Sequence, residues 1–142
     1  MKKIIITDGG RKKAGYKGDK ARDCVCRAIS IATEQDYQKV YDELNELAEK
    51  ERPRIGRSRS HAARGVQKAT IRRYMIGMGW RWVPTMLVGQ GCKVHLKKDE
   101  LPNGRLIVSV SKHMVAVIDG VIYDNHDPSR NGTRCVYGYW TK

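Results

Sequence analysis

No run of apolar residues in this chain is long enough to cross a bilayer, so a membrane-spanning helix is not expected and no membrane partner is implied. The opening Met1-Lys2-Lys3-Ile4-Ile5-Ile6-Thr7 is too short in its apolar part for a signal peptide, and charge resumes at once. An edge strand over residues 4–7 is the better reading. No CxxC pair occurs among the four cysteines, Cys24, Cys26, Cys92 and Cys135, so a structural zinc site is not expected. Cys24 and Cys26 are too close on one helix to bridge comfortably. Nothing else points to secretion, and the cysteines read as reduced thiols in a cytosol. Internal repeats and inter-domain linkers are also missing, which leaves one domain over residues 1–142, long enough for a hydrophobic core without disulfide staples. Acidic residues are scarce: 15 against 28 Lys and Arg give a formal charge of +13. Such a charge favours polyanions, whether nucleic acid or an acidic protein, and says nothing about the fold.

What is present divides into two halves. Residues 8–22 are Gly- and Lys-rich and read as a loop. Asp23 is a suitable N-cap for a helix from Cys24 to about Thr33, with Val25, Ala28, Ile29, Ile31 and Ala32 as its apolar arc. Asp36 starts a second helix to about Lys50, in which Tyr37, Val40, Tyr41, Leu44, Leu47 and Ala48 recur at helical spacing. An exposed, mobile loop is expected over residues 52–65, then a third helix from about Val66 to Met78. After Gly79 the apolar period becomes two. Strands are expected at residues 80–83, 105–111, 113–118, 121–124 and 134–140, with Asp119-Gly120 as a tight hairpin turn. Helices first and an antiparallel sheet afterwards make an α+β pattern.

This order brings three residues into question. Cys24, at the first helical position, meets the free amides and positive dipole end that lower a thiol pKa. It lies at the edge of the apolar arc, where a helix faces a sheet, whereas Cys26 falls on the polar flank with Arg27, Ser30 and Thr33. If Asp119 and Gly120 are the two turn residues, Ile118 faces Val121, and His113, Val115 and Asp124 point to one side of the sheet. His113 then faces His126, a close bystander, and Asp124 is the acid able to orient the ring. A thiol, a base and an orienting acid form the constellation of nucleophilic catalysis. The competing reading is packing: cysteine is often buried, a strand histidine can be a satisfied sheet residue, and Asp124 can bond turn amides. Convergence of Cys24, His113, Asp124 and His126 on one zinc ion is a third reading, without a short metal motif behind it.

The run Asp23-Cys24-Val25-Cys26-Arg27-Ala28, then Tyr37-Gln38-Lys39-Val40-Tyr41, resembles the opening of papain-like cysteine peptidases, and more narrowly small phage and prokaryotic proteins of that fold. Residues 113–124 and 136–140 are similar to the later part of those proteins. The resemblance implies a papain-like α+β fold with Cys24 as nucleophile, His113 as base and Asp124 as orienting acid. It further implies peptide or isopeptide hydrolysis without a cofactor, in a cytoplasm, that of the host if a phage encodes the chain. One departure stands out. Papain-like enzymes usually carry a glutamine some six residues before the cysteine to donate to the oxyanion; here that position is Gly18, and no Gln or Asn precedes Cys24. Tyr16, Lys17 or Lys20 are the candidates to replace it. Loss of one such donor typically costs about a hundredfold or more in rate, so a binding scaffold of weak or no activity is the competing function. Its surface would be Arg52, Arg54, Arg57, Arg59, Arg64, Arg72 and Arg73, a stretch without an acidic residue and a candidate contact for phosphates. Trp80 and Trp82 could stack bases or pack in the core.

Overall fold

Two periods of apolar residues, one helical and one alternating, bury themselves against each other in this protein. The computed structural model describes residues 4–18 and 21–142. The helices are α1 (Cys24–Thr33), α2 (Tyr37–Ala48) and α3 (Lys68–Gly77), and the strands are β1 (Ile4–Ile6), β2 (Arg81–Pro84), β3 (Arg105–Val110), β4 (His113–Ile118), β5 (Val121–Asp124) and β6 (Val136–Thr141). A 3-10 turn spans Lys98–Glu100. The strands form one six-stranded sheet in the order β1-β5-β4-β3-β6-β2.

The α+β class expected from the sequence is present, but the sheet is mixed rather than antiparallel. β1 runs parallel to β5, pairing Ile4 with Ile122 and Ile6 with Asp124, and the Thr7 amide extends the ladder to the Asp124 carbonyl at 2.9 Å. A three-residue strand carries too little pattern to reveal its direction, which only the far end of the chain decides. All other pairings are antiparallel.

The sheet is buried on both faces. Ile107, Met114, Ala116 and Trp140 meet the helices through Val25, Ala28, Ile29, Tyr37, Val40, Leu44 and Met75. On the other face, Leu106, Val108, Val115, Val117, Ile122 and Val136 pack beneath Leu96 and Leu101. Fully burying a side chain of this size contributes about 1.5–3 kcal/mol. Trp80 is buried in the first cluster, and Trp82 packs against Trp140 with ring centroids 5.3 Å apart, so both rings belong to the core.

α1 is more enclosed than its sequence implies. The flank read as polar is buried: Cys26, Arg27 and Ser30 all lie inside. α2 and the sheet cover two sides, and the loop after β1 covers a third. Gly9, at φ +70°, lets that loop approach so closely that a Cβ there would sit 3.2 Å from the Arg27 Cα. Asp23 was expected to cap this helix with its carboxylate, but its side chain makes no cap bond and turns into the interior instead.

The cysteines also depart from the expectation. Cys24 and Cys26 are free, whereas Cys92 and Cys135 form a disulfide across 43 positions. Spacing alone could not pair them, because the β6 ladder is what brings His95 opposite Cys135. No helix among the described residues is long and apolar enough to cross a membrane.

Candidate active site

Cys24 is the first residue of α1, half-buried, where the helix packs on β4. At that end the backbone amides have no intrahelical acceptor and favour negative charge. His113 opens β4. The two residues of the β4–β5 turn, Asp119 and Gly120, both have positive φ (50° and 78°), the geometry of a two-residue hairpin. Ile118 therefore faces Val121, and this register brings Asp124 to the same side as His113. The Nε2 of His113 and the Oδ2 of Asp124 are 2.6 Å apart. With Nε2 committed to the carboxylate, Nδ1 is the ring nitrogen left for another partner, and the Cys24 sulfur is near enough for each group to shift the other's pKa. The His113 side chain keeps 12% exposure, so the site opens to solvent.

The electrostatics follow from this placement. Burial pushes the Cys24 thiol up, but a hydrogen bond and charge from His113, the Met114 backbone amide and the nearby Arg27 guanidinium outweigh it, and the pKa falls below the ordinary cysteine value. Burial lowers the His113 pKa, yet its bonds to Asp124 and Cys24 raise it to about 9 from the usual 6.5. Asp124 would be raised by burial, but His113, the Asn125 amide and Arg27 hold it below the usual carboxylate range. Each of the three shifts is toward the charged form of its group. Cys26 has no such help: burial pushes its thiol up to about 12, and it points to the Tyr37 carbonyl.

One expected result is a His113 ring that titrates near pH 9 by NMR, with a midpoint that drops toward 6.5 in Asp124→Asn. Because the folded-state pKa is the higher one, the stability contributed by the charged ring is complete below about pH 6.5 and is lost as the pH rises through about 9. A wild-type midpoint near 6.5 would refute the ion pair.

Behind the site runs a buried chain of charges that sequence reasoning missed. The Arg27 guanidinium bonds Asp23 through Nη1 and the Asp124 Oδ1 through Nη2 at 3.2 Å. Asp23 also accepts from the Tyr37 hydroxyl at 2.6 Å, and Arg11 donates to that hydroxyl at 3.0 Å. Asp23, Arg27 and Asp124 are all buried, and the Arg27 Nε has no hydrogen-bond partner among the described residues. The available signal was the Asp23–Arg27 spacing of four on a helix that otherwise reads as apolar.

No family model, curated protein or solved structure matches this chain.

The remaining candidates scatter. Tyr16 stacks on Tyr41, with ring centroids 4.6 Å apart, and under the Arg11 guanidinium. Lys17 is exposed, and Arg11 binds its carbonyl and that of Gly18 at 3.2 and 3.4 Å, so the segment where the glutamine would stand is tied back to the loop. Lys20 lies outside the described residues. His126 is exposed, 5.2 Å from the His113 ring centroid, and bonds Asn125 Oδ1 at 2.6 Å. One ligand atom each from His113, Asp124 and His126 falls within 4.8 Å of the others. This donor set suits zinc, but a metal would have to displace the short bond between His113 and Asp124.

The Arg-rich stretch lies on the surface. Arg52, Arg54, Arg57, Arg59, Arg64, Arg72 and Arg73 are all exposed. An open cleft of about 620 Å³ is lined by Arg57, Arg59 and Arg64 together with Ser58, Ser60 and His61. Arg59 is partly committed, donating to the Glu49 carbonyl at 3.0 Å.

Proposed function

We propose that this chain is a papain-like cysteine hydrolase, a peptidase or isopeptidase, acting through Cys24, His113 and Asp124. The observation that carries the reading is the 2.6 Å bond between His113 Nε2 and Asp124, beside a helix-initiating sulfur whose pKa His113 lowers. The Cys24 thiolate attacks the carbonyl carbon of the scissile bond. His113 delivers its proton to the departing amine, leaving a thioester on Cys24. A water molecule, deprotonated by His113, then cleaves the thioester and restores the thiolate. Asp124 keeps the ring oriented and stabilises its charge. The Cys24 backbone amide supplies one oxyanion donor. A second is not supplied from the Gly18 position, so slow turnover is expected. On this reading the enzyme works in a cytoplasm, that of the host if a phage encodes it.

The test is acyl transfer itself. p-Nitrophenyl acetate should release a burst of p-nitrophenol and leave one acetyl group on Cys24, removable by hydroxylamine. An adduct that forms equally well in His113→Ala, or none on Cys24, would defeat the proposal.

A second reading rests on a different observation, the arginine-lined cleft and the exposed guanidiniums around it. Here the scaffold holds nucleic acid or an acidic protein, and the thiol is incidental. Binding of a single-stranded oligonucleotide should then weaken steeply between about 50 and 200 mM salt and survive Cys24→Ala. No binding at physiological salt removes this reading.

A further inference from the structure

Away from Cys24, the structure contains a second line of sulfur, imidazole and carboxylate. The His95 Nε2 lies 3.5 Å from the Cys92 sulfur, and its Nδ1 lies 3.2 Å from Glu100 Oε1. Lys97 holds the other oxygen of Glu100 at 3.4 Å. The spacing is compact, because Cys92, His95 and Glu100 all belong to the segment that precedes β3 and curls through the 3-10 turn. A backbone ladder fixes the segment on the start of β6: the Leu96 amide donates to the Arg134 carbonyl at 2.8 Å, and the Val136 amide to the Val94 carbonyl at 2.8 Å.

The two sulfurs of the disulfide differ in their surroundings. Cys92 is exposed and has the imidazole beside it, whereas Cys135 is only partly exposed. A disulfide that serves only as a staple has no use for a base held against its outer sulfur by an acid. Thiol–disulfide exchange does, since the attacking group is a thiolate and the departing thiolate must be protonated.

We infer that Cys92 and Cys135 form a thiol–disulfide exchange centre whose substrate is a disulfide, with Cys92 as the exchanging sulfur, Cys135 as the resolving one and His95 as the proton carrier. In the reduced protein His95 takes the Cys92 proton. The Cys92 thiolate attacks one sulfur of the substrate; the substrate S–S bond breaks as the Cys92–substrate bond forms, and the first substrate thiolate leaves with the proton from His95. The Cys135 thiol then gives its proton to the now neutral His95 and attacks the Cys92 sulfur, and His95 returns that proton to the second substrate thiolate as it leaves. That step forms the Cys92–Cys135 bond, breaks the mixed disulfide and releases the second substrate thiol. One substrate disulfide is reduced to two thiols, and the protein dithiol is oxidised to the disulfide. Excess substrate thiol drives the reverse course, again through a mixed disulfide on Cys92. Glu100 is a positioning residue that fixes which nitrogen of His95 faces the sulfur.

The experiment uses the full chain carrying Cys24→Ser, so its outcome does not depend on the hydrolase reading. After reduction and removal of reductant, a brief pulse of iodoacetamide at pH 7 should label Cys92 at least about tenfold faster than Cys135 by peptide mapping, with a labelling midpoint below the ordinary thiol value of about 8.5. His95→Gln should erase that advantage and raise the midpoint, and Glu100→Gln should move it the same way by less. Glutathione disulfide is the exchange probe: in Cys135→Ser it should leave a stable mixed disulfide on Cys92, whereas with Cys135 present it should be released as two thiols. Equal labelling of the two sulfurs, an advantage for Cys92 that His95→Gln leaves unchanged, or a mixed disulfide that persists beside an intact Cys135 would each overturn the inference. His95 and Glu100 are only partly exposed but belong to neither core cluster, so these variants leave both clusters intact, and the wild-type pH profile tests the same point without substitution.

Discussion

Iodoacetamide near pH 7 should alkylate Cys24 of the unreduced protein at least about tenfold faster than Cys26, and His113→Ala should slow Cys24 at least about tenfold while leaving Cys26 as slow as before. The disulfide keeps Cys92 and Cys135 out of the comparison. Cys26 is fully buried and its thiol is pushed up to about 12, so almost none of it is thiolate at neutral pH. Cys24 combines partial access with a depressed pKa, and the largest opposing cause to its burial is His113. Removing the imidazole leaves burial as the dominant effect and returns the sulfur to a weakly ionised thiol. If the chain is the proposed hydrolase, the same substitution removes the group that moves the proton, and turnover should fall by about 10²–10⁴. Equal, slow labelling of Cys24 and Cys26 in the wild type would mean that the sulfur is ordinary and that the hydrolase reading fails.

The largest effect on stability should come from Arg27→Met. The Arg27 guanidinium is shared by two carboxylates, Asp23 and Asp124, that are only 1% and 2% exposed. Methionine approximates the aliphatic stem and removes the guanidinium that joins these two buried carboxylates, leaving Asp23 to Tyr37 and Asp124 to His113. Removing one partner of a buried ionic arrangement costs about 3–5 kcal/mol, because the stranded charges remain desolvated. Urea unfolding should therefore report a loss in that range, and Cys24 labelling should slow as Asp124 loses one of its two anchors. Arg27→Lys should recover only part of the stability, since a point charge cannot bond two carboxylates as a planar fork does. A loss below about 1 kcal/mol would show that water or an alternative partner already compensates these acids.

How much of this was legible in the chain depended on whether a local rule or a distant partner decided the feature. The relation of His113 to Asp124 could be read because Asp119-Gly120 specifies a two-residue turn, and parity then fixes every side chain on the hairpin. The helical position of Cys24 followed from local periodicity in the same way. Arg27 reads as part of a polar flank and the Asp23 side chain as a cap, because a charge is expected outside unless its partner is known, and one partner of Arg27 lies 97 positions away. The parallel pairing of β1 and the union of Cys92 with Cys135 were hidden for the same reason. Both depend on which segments the finished sheet sets side by side, and neither leaves a trace in the neighbouring residues.

The distance between α1 and the hairpin has a kinetic corollary. The sulfur leaves the ribosome first, and His113 and Asp124 follow about ninety to a hundred residues later. Until that hairpin docks, the nascent chain carries a thiol with no partner to ionise it. Contacts so remote in sequence also form slowly, since closing a long loop is entropically costly. On the hydrolase reading, reactivity at Cys24 is therefore acquired only once the hairpin docks, and its appearance after dilution from denaturant would time that docking.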